Sequence, residues 1–323
     1  MTRPGDSRPV MIGIVGVSAA GKTTITRGLV RALGEENVSH ICTDDYHRYD
    51  RKQRSEMQIT PLDPECNYMD IMARHLAELR ANHPILKPVY QHADGTFGPP
   101  VYIEPKRFTI IEGLLAFHTR QMREVFDILI FLDPPEELRR KWKVDRDTTK
   151  RGYTTDKVLT ELDRREPDSA AFIRPQKQHA DLVIAFQPKE GRDQSRLDAM
   201  ITLHPGLPHP DLSQMINGDT GGLELRKEED KEVLIVPGEL DPDRGAQIEE
   251  YIWEKLHFAQ HLRSNRLGEF THGTELRRSE SLALTQLLVF YHALTARASV
   301  ALGGEGTRAA AVSAAGQDAA ARS

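Results

Sequence analysis

The chain has 323 residues, a formal charge of −5, 39% hydrophobic and 28% charged residues, the balance of a folded protein with a sizeable core. A surface that tracks nucleic acid as a whole is excluded, because such binding neutralises phosphates with Lys and Arg; any anion site must be local. The two cysteines, Cys42 and Cys66, exclude a disulfide framework or a multi-thiolate zinc site. No run approaches the roughly 20 apolar residues needed to cross a bilayer, and "MTRPGDSRPV" lacks the apolar core of a signal peptide. The expected setting is cytoplasmic, with neither nucleic acid nor membrane as partner.

In chain order, "VMIGIVGV" (10 to 17) predicts a strand buried on both faces. The loop Gly16, Val17, Ser18, Ala19, Ala20, Gly21, Lys22, Thr23 and Thr24 follows it directly, with glycines that let backbone N–H groups turn toward an anion. Lys22 is placed for the β- and γ-phosphates of a nucleoside triphosphate, and the Thr23 hydroxyl for Mg²⁺. The plainer alternative is a small-residue turn, disfavoured here between a buried strand and a helix. That helix runs from Thr23 to Leu33, with Ile25, Leu29, Val30 and Leu33 on one face and Gly34 as its stop.

"SHICTDDY" predicts a second strand ending at two aspartates. A carboxylate there is placed to take a proton from an acceptor hydroxyl; Asp44 is the candidate and Asp45 the rival. His47, Arg48 and Arg51 are candidates for a phosphate already on the acceptor, against the alternative of a solvated charged loop. A helix follows from Met69 to Arg80. Residues 87 to 105, "KPVYQHADGTFGPPVYIEP", are too rich in Pro and Gly for regular structure and predict a functional loop presenting Tyr90 and His92.

"FTIIEG" (108 to 113) predicts a strand that delivers Glu112 toward Mg²⁺, directly or through water, and "DILIFLD" (127 to 133) another ending at Asp133. Helices are expected over 135 to 150, 155 to 165 and around 170, then a strand at 181 to 186. The basic run 139 to 151 places Lys143, Arg146 and Lys150 on one helical face, a lid that offsets charge on a transferring phosphoryl group. Arg139, Arg140 and Lys141 read as solvated, and Cys42, His118 and Trp142 as packing. Beyond Gln187 a turn-rich linker precedes strand-like "LELR" and "EVLIVPG", a helix from 243 to 261 and an apolar helix from 279 to 295, a candidate subunit contact. Residues from 303 onward have nothing to bury. The expected fold is α/β, a P-loop kinase core with a mainly parallel sheet (9 to 190), a C-terminal α+β extension (191 to 300) and a disordered tail (301 to 323).

Taken together, "GVSAAGKTT", "TDDYHRYDR", "KPVYQHADG", "IIEGL", "RDTTKRGYTTDKV" and "REPDSAAFIRPQKQHADLVI" resemble the phosphoribulokinase and uridine kinase family of P-loop kinases. The resemblance is close over residues 10 to 190 and nearer the plant and cyanobacterial phosphoribulokinase type. It implies ATP and Mg²⁺ as cofactors, ribulose 5-phosphate as acceptor at its C1 hydroxyl, and a homo-oligomer, a dimer first. By motif it makes Asp44 the catalytic base, His47, Arg51, Tyr90 and His92 substrate ligands, and Glu112 the acid near the metal. It places Lys143, Arg146, Asp147 and Arg151 in the lid and active-site group, with Lys22, Lys143, Arg146 and Asp147 counted beside Asp44 as catalytic and Arg151 as substrate-binding. Ala20 stands where plant relatives carry a regulatory cysteine, so thioredoxin control through that thiol is not expected. The readings held against this are a uridine kinase, whose pocket would be neutral and aromatic, and a nucleotide-binding regulator without turnover.

Overall fold

The computed structural model describes residues 7–190, 196–216, 222–264, 266–272 and 275–308. Five parallel strands form the centre of the sheet: β1 (Val10–Gly16), β2 (Val38–Cys42), β5 (Phe108–Gly113), β6 (Ile128–Leu132) and β7 (Leu182–Gln187). Antiparallel β8 (Asp198–Leu203), β10 (Glu232–Val236) and β9 (Glu224–Lys227) continue it, in the order β2-β5-β1-β6-β7-β8-β10-β9. Two ribbons stand apart from it, β3 (Ile85–Gln91) with β4 (Thr96–Ile103), and β11 (Glu269–His272) with β12 (Glu275–Arg278).

The strands are apolar at successive positions because both faces are covered. Val10, Ile12 and Ile14 of β1 join Ile110, Ile130 and Ile184 in one core layer with residues of α1 (Lys22–Leu33), α7 (Pro242–Lys255) and α8 (Glu280–Ala301). Met11 and Val15 face the opposite way, joining Ile111, Leu129 and Phe131 against α3 (Met69–Arg80) and the short α4 (Arg120–Arg123). The remaining helices are α2 (Arg51–Glu56), α5 (Glu136–Arg151) and α6 (Thr155–Asp168).

Helix α8 is apolar because it is enclosed by its own chain. It packs on α1, α7, β1 and β8, burying Leu284, Leu287 and Leu288 on one side and Ala283, Phe290 and Ala293 on others, so the apolar surface considered for a subunit contact is covered internally. Gln286, fully buried, donates to the Thr24 carbonyl (3.2 Å) and accepts from Gly268 N–H (2.8 Å). Gly28 makes that approach possible, since a Cβ there would lie 2.0 Å from Gln286 Nε2.

Three expectations are corrected. Residues 87 to 105 are not an irregular loop but lie almost wholly in the β3–β4 ribbon. Its prolines are tolerated because Pro88, Pro99 and Pro100 gather where the register shifts, between Lys87 and Val89, and so withhold no ladder N–H. The expected linker contains β8, whose Ala199, Ile201 and Leu203 point into the core. The helix expected to reach residue 261 ends at Lys255 and passes into a 3₁₀ turn, His257–Leu262.

Of the expected tail, residues up to 308 are held against the sheet. Arg308 pairs with Asp181 (3.0 Å), and the Glu305 carbonyl accepts from Arg8, whose guanidinium also grips the buried Asp127 at 2.7 Å. Residues 309–323 lie outside the described residues. No described helix is long and apolar enough to cross a membrane.

Candidate active site

The phosphate loop, Asp44 and Glu112 sit at the carboxyl ends of the parallel strands β1, β2 and β5, where α/β sheets bind ligands. The loop after β1 turns sharply at Gly16, where a Cβ would stand 2.5 Å from the Leu132 carbonyl. Gly21 takes a left-handed φ of 94° and caps α1 without a side chain, so the first N–H groups of the helix face an open, electropositive end. Lys22 Nζ folds back onto the carbonyls of Gly16 (2.7 Å) and Val17 (3.0 Å). Burial holds the Lys22 ammonium below its ordinary value, against the opposing charges of Glu112 and Asp44.

Glu112 is fixed from two sides. Thr26 Oγ1 donates to one carboxylate oxygen at 2.9 Å; the other has His40 Nε2 at 3.3 Å and Thr23 Oγ1 at 3.4 Å. Burial raises its proton affinity, but His40, with Thr26 and Lys22, outweighs this and keeps the carboxyl below its ordinary value. An ionised carboxylate beside a hydroxyl at a phosphate loop is a hard-oxygen set suited to Mg²⁺.

The second strand tip is drawn against Glu112 by Gly113. A Cβ at that position would lie 1.6 Å from Thr43 Oγ1, and Thr43 accepts from Leu114 N–H at 3.2 Å. A 3₁₀ turn, Thr43–Tyr46, then separates the two rival acids. Asp45 is occupied by the ribbon: Lys87 Nζ donates to one oxygen and Tyr90 N–H to the other at 2.9 Å. Asp44 stays partly exposed, with His92 Nε2 at 3.6 Å.

Tyr90 therefore reaches the site from β3, and His92 from the turn that follows it. Tyr90 is buried, edge-on to His47 (centroids 4.9 Å apart) and to His92 (5.1 Å). His47 Nδ1 stands 2.8 Å from Asn67 Oδ1. Asn67 gives its amide hydrogens to the Pro61 and Asp63 carbonyls, so Nδ1 carries the imidazole proton and Nε2 of the neutral ring is an acceptor. Burial lowers the His47 pKa despite Asp44; only in its protonated form does the ring offer an anion a second donor. Arg51 begins α2, which Asp50 and Gln53 start with a reciprocal capping box; its NH2 donates to the His92 carbonyl at 2.6 Å. Arg48 lies over the Tyr68 ring and 3.9 Å from Glu65.

Along α5 the basic face converges on one buried carboxylate. Asp147 takes Lys143, Arg146 (2.9 Å) and Arg151 (3.6 Å). Burial, with the charge of Arg146, pushes Lys143 down to about 8 against the pull of Asp147. The side chain of Lys150 lies outside the described residues. Arg139, expected in solvent, is buried: it pairs with Glu136 and donates to the Ser18 carbonyl at 3.3 Å. Its four-residue spacing from Lys143 was the signal. Thr26, His40 and Arg54 carried none, because a lone polar residue within a helix or strand pattern does not announce its partner. Asp133, at the tip of β6, pairs with Lys177.

A phosphate loop feeding α1 beneath a largely parallel sheet, with acids at the tips of β2 and β5, defines a P-loop kinase fold. The chain belongs to the phosphoribulokinase / uridine kinase family, whose profile matches residues 11–191. It is 41% identical over 181 residues to a phosphoribulokinase of Synechocystis sp., covering 56% of this chain and 54% of that one. It is also 33% identical over 199 residues to a uridine kinase of Cronobacter sakazakii, covering 59% of this chain and 92% of the relative. The chain thus spans about half the length of the curated phosphoribulokinases it matches. Among solved structures, a phosphoribulokinase from Rhodobacter spheroides aligns over 78% of this chain and 98% of its own, with a TM-score of 0.57 and 19% identity, a likeness of fold.

Proposed function

We propose that this chain transfers the γ-phosphoryl group of ATP to the C1 hydroxyl of ribulose 5-phosphate. The observation that carries the reading is the division of labour between the two aspartates: Asp45 is engaged by Lys87 and the ribbon backbone, while Asp44 faces the space between the phosphate loop and His92. In that space Asp44 accepts the proton of the attacking hydroxyl. Lys22 leaves the loop carbonyls for the β- and γ-phosphates, and Lys143 and Arg146, aligned by Asp147, meet the charge on the transferring group. Thr23 and Glu112 would hold Mg²⁺, which when bound neutralises phosphate charge.

The acceptor side favours a phosphorylated sugar over a nucleoside. His92 beside Asp44 and Arg51, whose NH2 meets the His92 carbonyl, border it, and a cation held in a closed site without an anion is costly. The second reading, a uridine acceptor, draws on the coverage of the uridine kinase relative. A coupled ADP assay with ribulose 5-phosphate, D-ribulose and uridine separates the two: the proposal expects turnover with the first alone, and preference for uridine would reverse it.

A further inference from the structure

Glu112 is held in part by a residue that the phosphoryl-transfer machinery does not use. His40 lies on β2, the strand at one end of the sheet, opposite Ile110 of β5; Glu112 stands one same-face position further on, opposite Cys42. The imidazole crosses this diagonal and brings Nε2 within 3.3 Å of Glu112 Oε1. Because an ionised carboxylate only accepts, Nε2 carries the ring proton in that contact. The side chain is 40% exposed, so core packing does not impose its position.

Glu112 needs a partner on that oxygen. Thr26 donates to Oε2 at 2.9 Å, and a single hydrogen bond leaves a carboxylate free to turn about the bonded atom. Oε1 is the oxygen nearer the phosphate loop, 3.4 Å from Thr23 Oγ1, and Cys42 directly across carries only a weak S–H donor. A donor on Oε1 fixes the plane of the group while leaving that oxygen a second lone pair. Hydrogen bonds to a charged acceptor are the stronger kind, and such partners behind a ligating carboxylate are worth about 10–100-fold in metal affinity.

We infer that His40 is a positioning residue for the metal: through Nε2–H it holds Glu112 Oε1 toward Thr23, so that the divalent cation accompanying the nucleotide meets a carboxylate already oriented. This deepens the reading of Thr23 and Glu112 as the Mg²⁺ pair and rests on it. It does not depend on which acceptor is phosphorylated.

Metal binding and turnover, both measured on the full chain, separate those claims. With the chain saturated by ADP, Mg²⁺ is titrated and the melting temperature followed. Wild type should gain stability with Mg²⁺. His40→Ala and His40→Phe should move the midpoint of that gain to about 10–100-fold higher Mg²⁺, with the gain from ADP alone in EDTA unchanged. His40→Gln, which sets an amide N–H near the place of the imidazole Nε2, should recover most of the shift. In steady state the Mg²⁺ concentration giving half the maximal rate should rise by a similar factor in His40→Ala, while KM for ribulose 5-phosphate stays within about twofold. The inference is overturned if Mg²⁺ stabilises wild type and His40→Ala with the same midpoint, if His40→Gln is no better than His40→Phe, or if the gain from ADP alone falls as well. No gain from Mg²⁺ in wild type would overturn the metal pair and the inference together. A wild type that responds to Mg²⁺ as expected but phosphorylates only uridine would overturn the acceptor, while the titration still decides the role of His40. Should His40→Phe fail to fold, His40→Ala and His40→Gln carry the same comparison.

Discussion

Replacing the adjacent acids one at a time, Asp44→Asn and Asp45→Asn, should produce opposite defects. At Asp45 the change removes the carboxylate from Lys87, whose side chain is 9% exposed. Leaving a buried cation without its partner costs about 3–5 kcal/mol, and the Tyr90 N–H exchanges a charged acceptor for a neutral one. At Asp44 the side chain is 29% exposed and meets His92 at 3.6 Å; a contact of that kind contributes within about 1 kcal/mol. Loss of a general base, however, lowers turnover by about 10²–10⁴-fold. Urea unfolding and the coupled ADP assay on both variants read the two quantities. Asp45→Asn should unfold at distinctly lower urea, and Asp44→Asn should unfold like wild type yet turn over at background. If Asp44→Asn remained active while Asp45→Asn kept wild-type stability and lost turnover, the roles assigned here would be reversed.

Three further outcomes follow from the packing and the charges. Lys143 is protonated below its value of about 8 and neutral above it, so kcat/KM should fall on the alkaline side with a midpoint near that pH. Lys143→Arg, which stays charged, should move the limb upward; a limb unmoved by the substitution would exclude Lys143 as its origin. His292, buried on α8 with Nε2 3.1 Å from His209 Nδ1, is pushed down to about 3 by burial, with His209 adding to the effect. The unfolded chain takes up a proton there below about 6.5 that the fold refuses, so between pH 7.5 and 5 this residue alone should cost about 2 kcal/mol of stability. His292→Gln should flatten that dependence in urea unfolding, and an identical slope would refute it. Gly28→Ala drives a methyl into Gln286, an overpacking worth about 1–3 kcal/mol. Gln286→Ala in the same chain should recover most of it, whereas additive losses would mean that α1 and α8 do not meet there.

The parallel sheet was legible because burial on both faces leaves unbroken apolar runs, and the range expected for α3, Met69 to Arg80, matches the structure. The loop at 16 to 24 was legible because a phosphate-binding backbone requires small residues at set spacings. The β3–β4 ribbon was not, since prolines that break an ordinary strand are harmless where its register shifts. Strand β8 was obscured by the polar residues that precede it. In the site, Asp44 could be placed at a strand end, but its separation from Asp45 depends on Lys87, a partner 42 residues distant whose pairing is a tertiary event. Arg139 illustrates the same limit: a basic residue on a charged helix reads as solvated until the element that buries it is known.

The most direct test follows the γ-phosphate of ATP by ³¹P NMR in the presence of the purified chain, Mg²⁺ and ribulose 5-phosphate. The account predicts loss of the γ resonance, appearance of ADP, and a second phosphate monoester on the sugar at C1. A spectrum in which ATP persists with ribulose 5-phosphate, yet is consumed to form a monophosphate when uridine replaces it, would contradict the account.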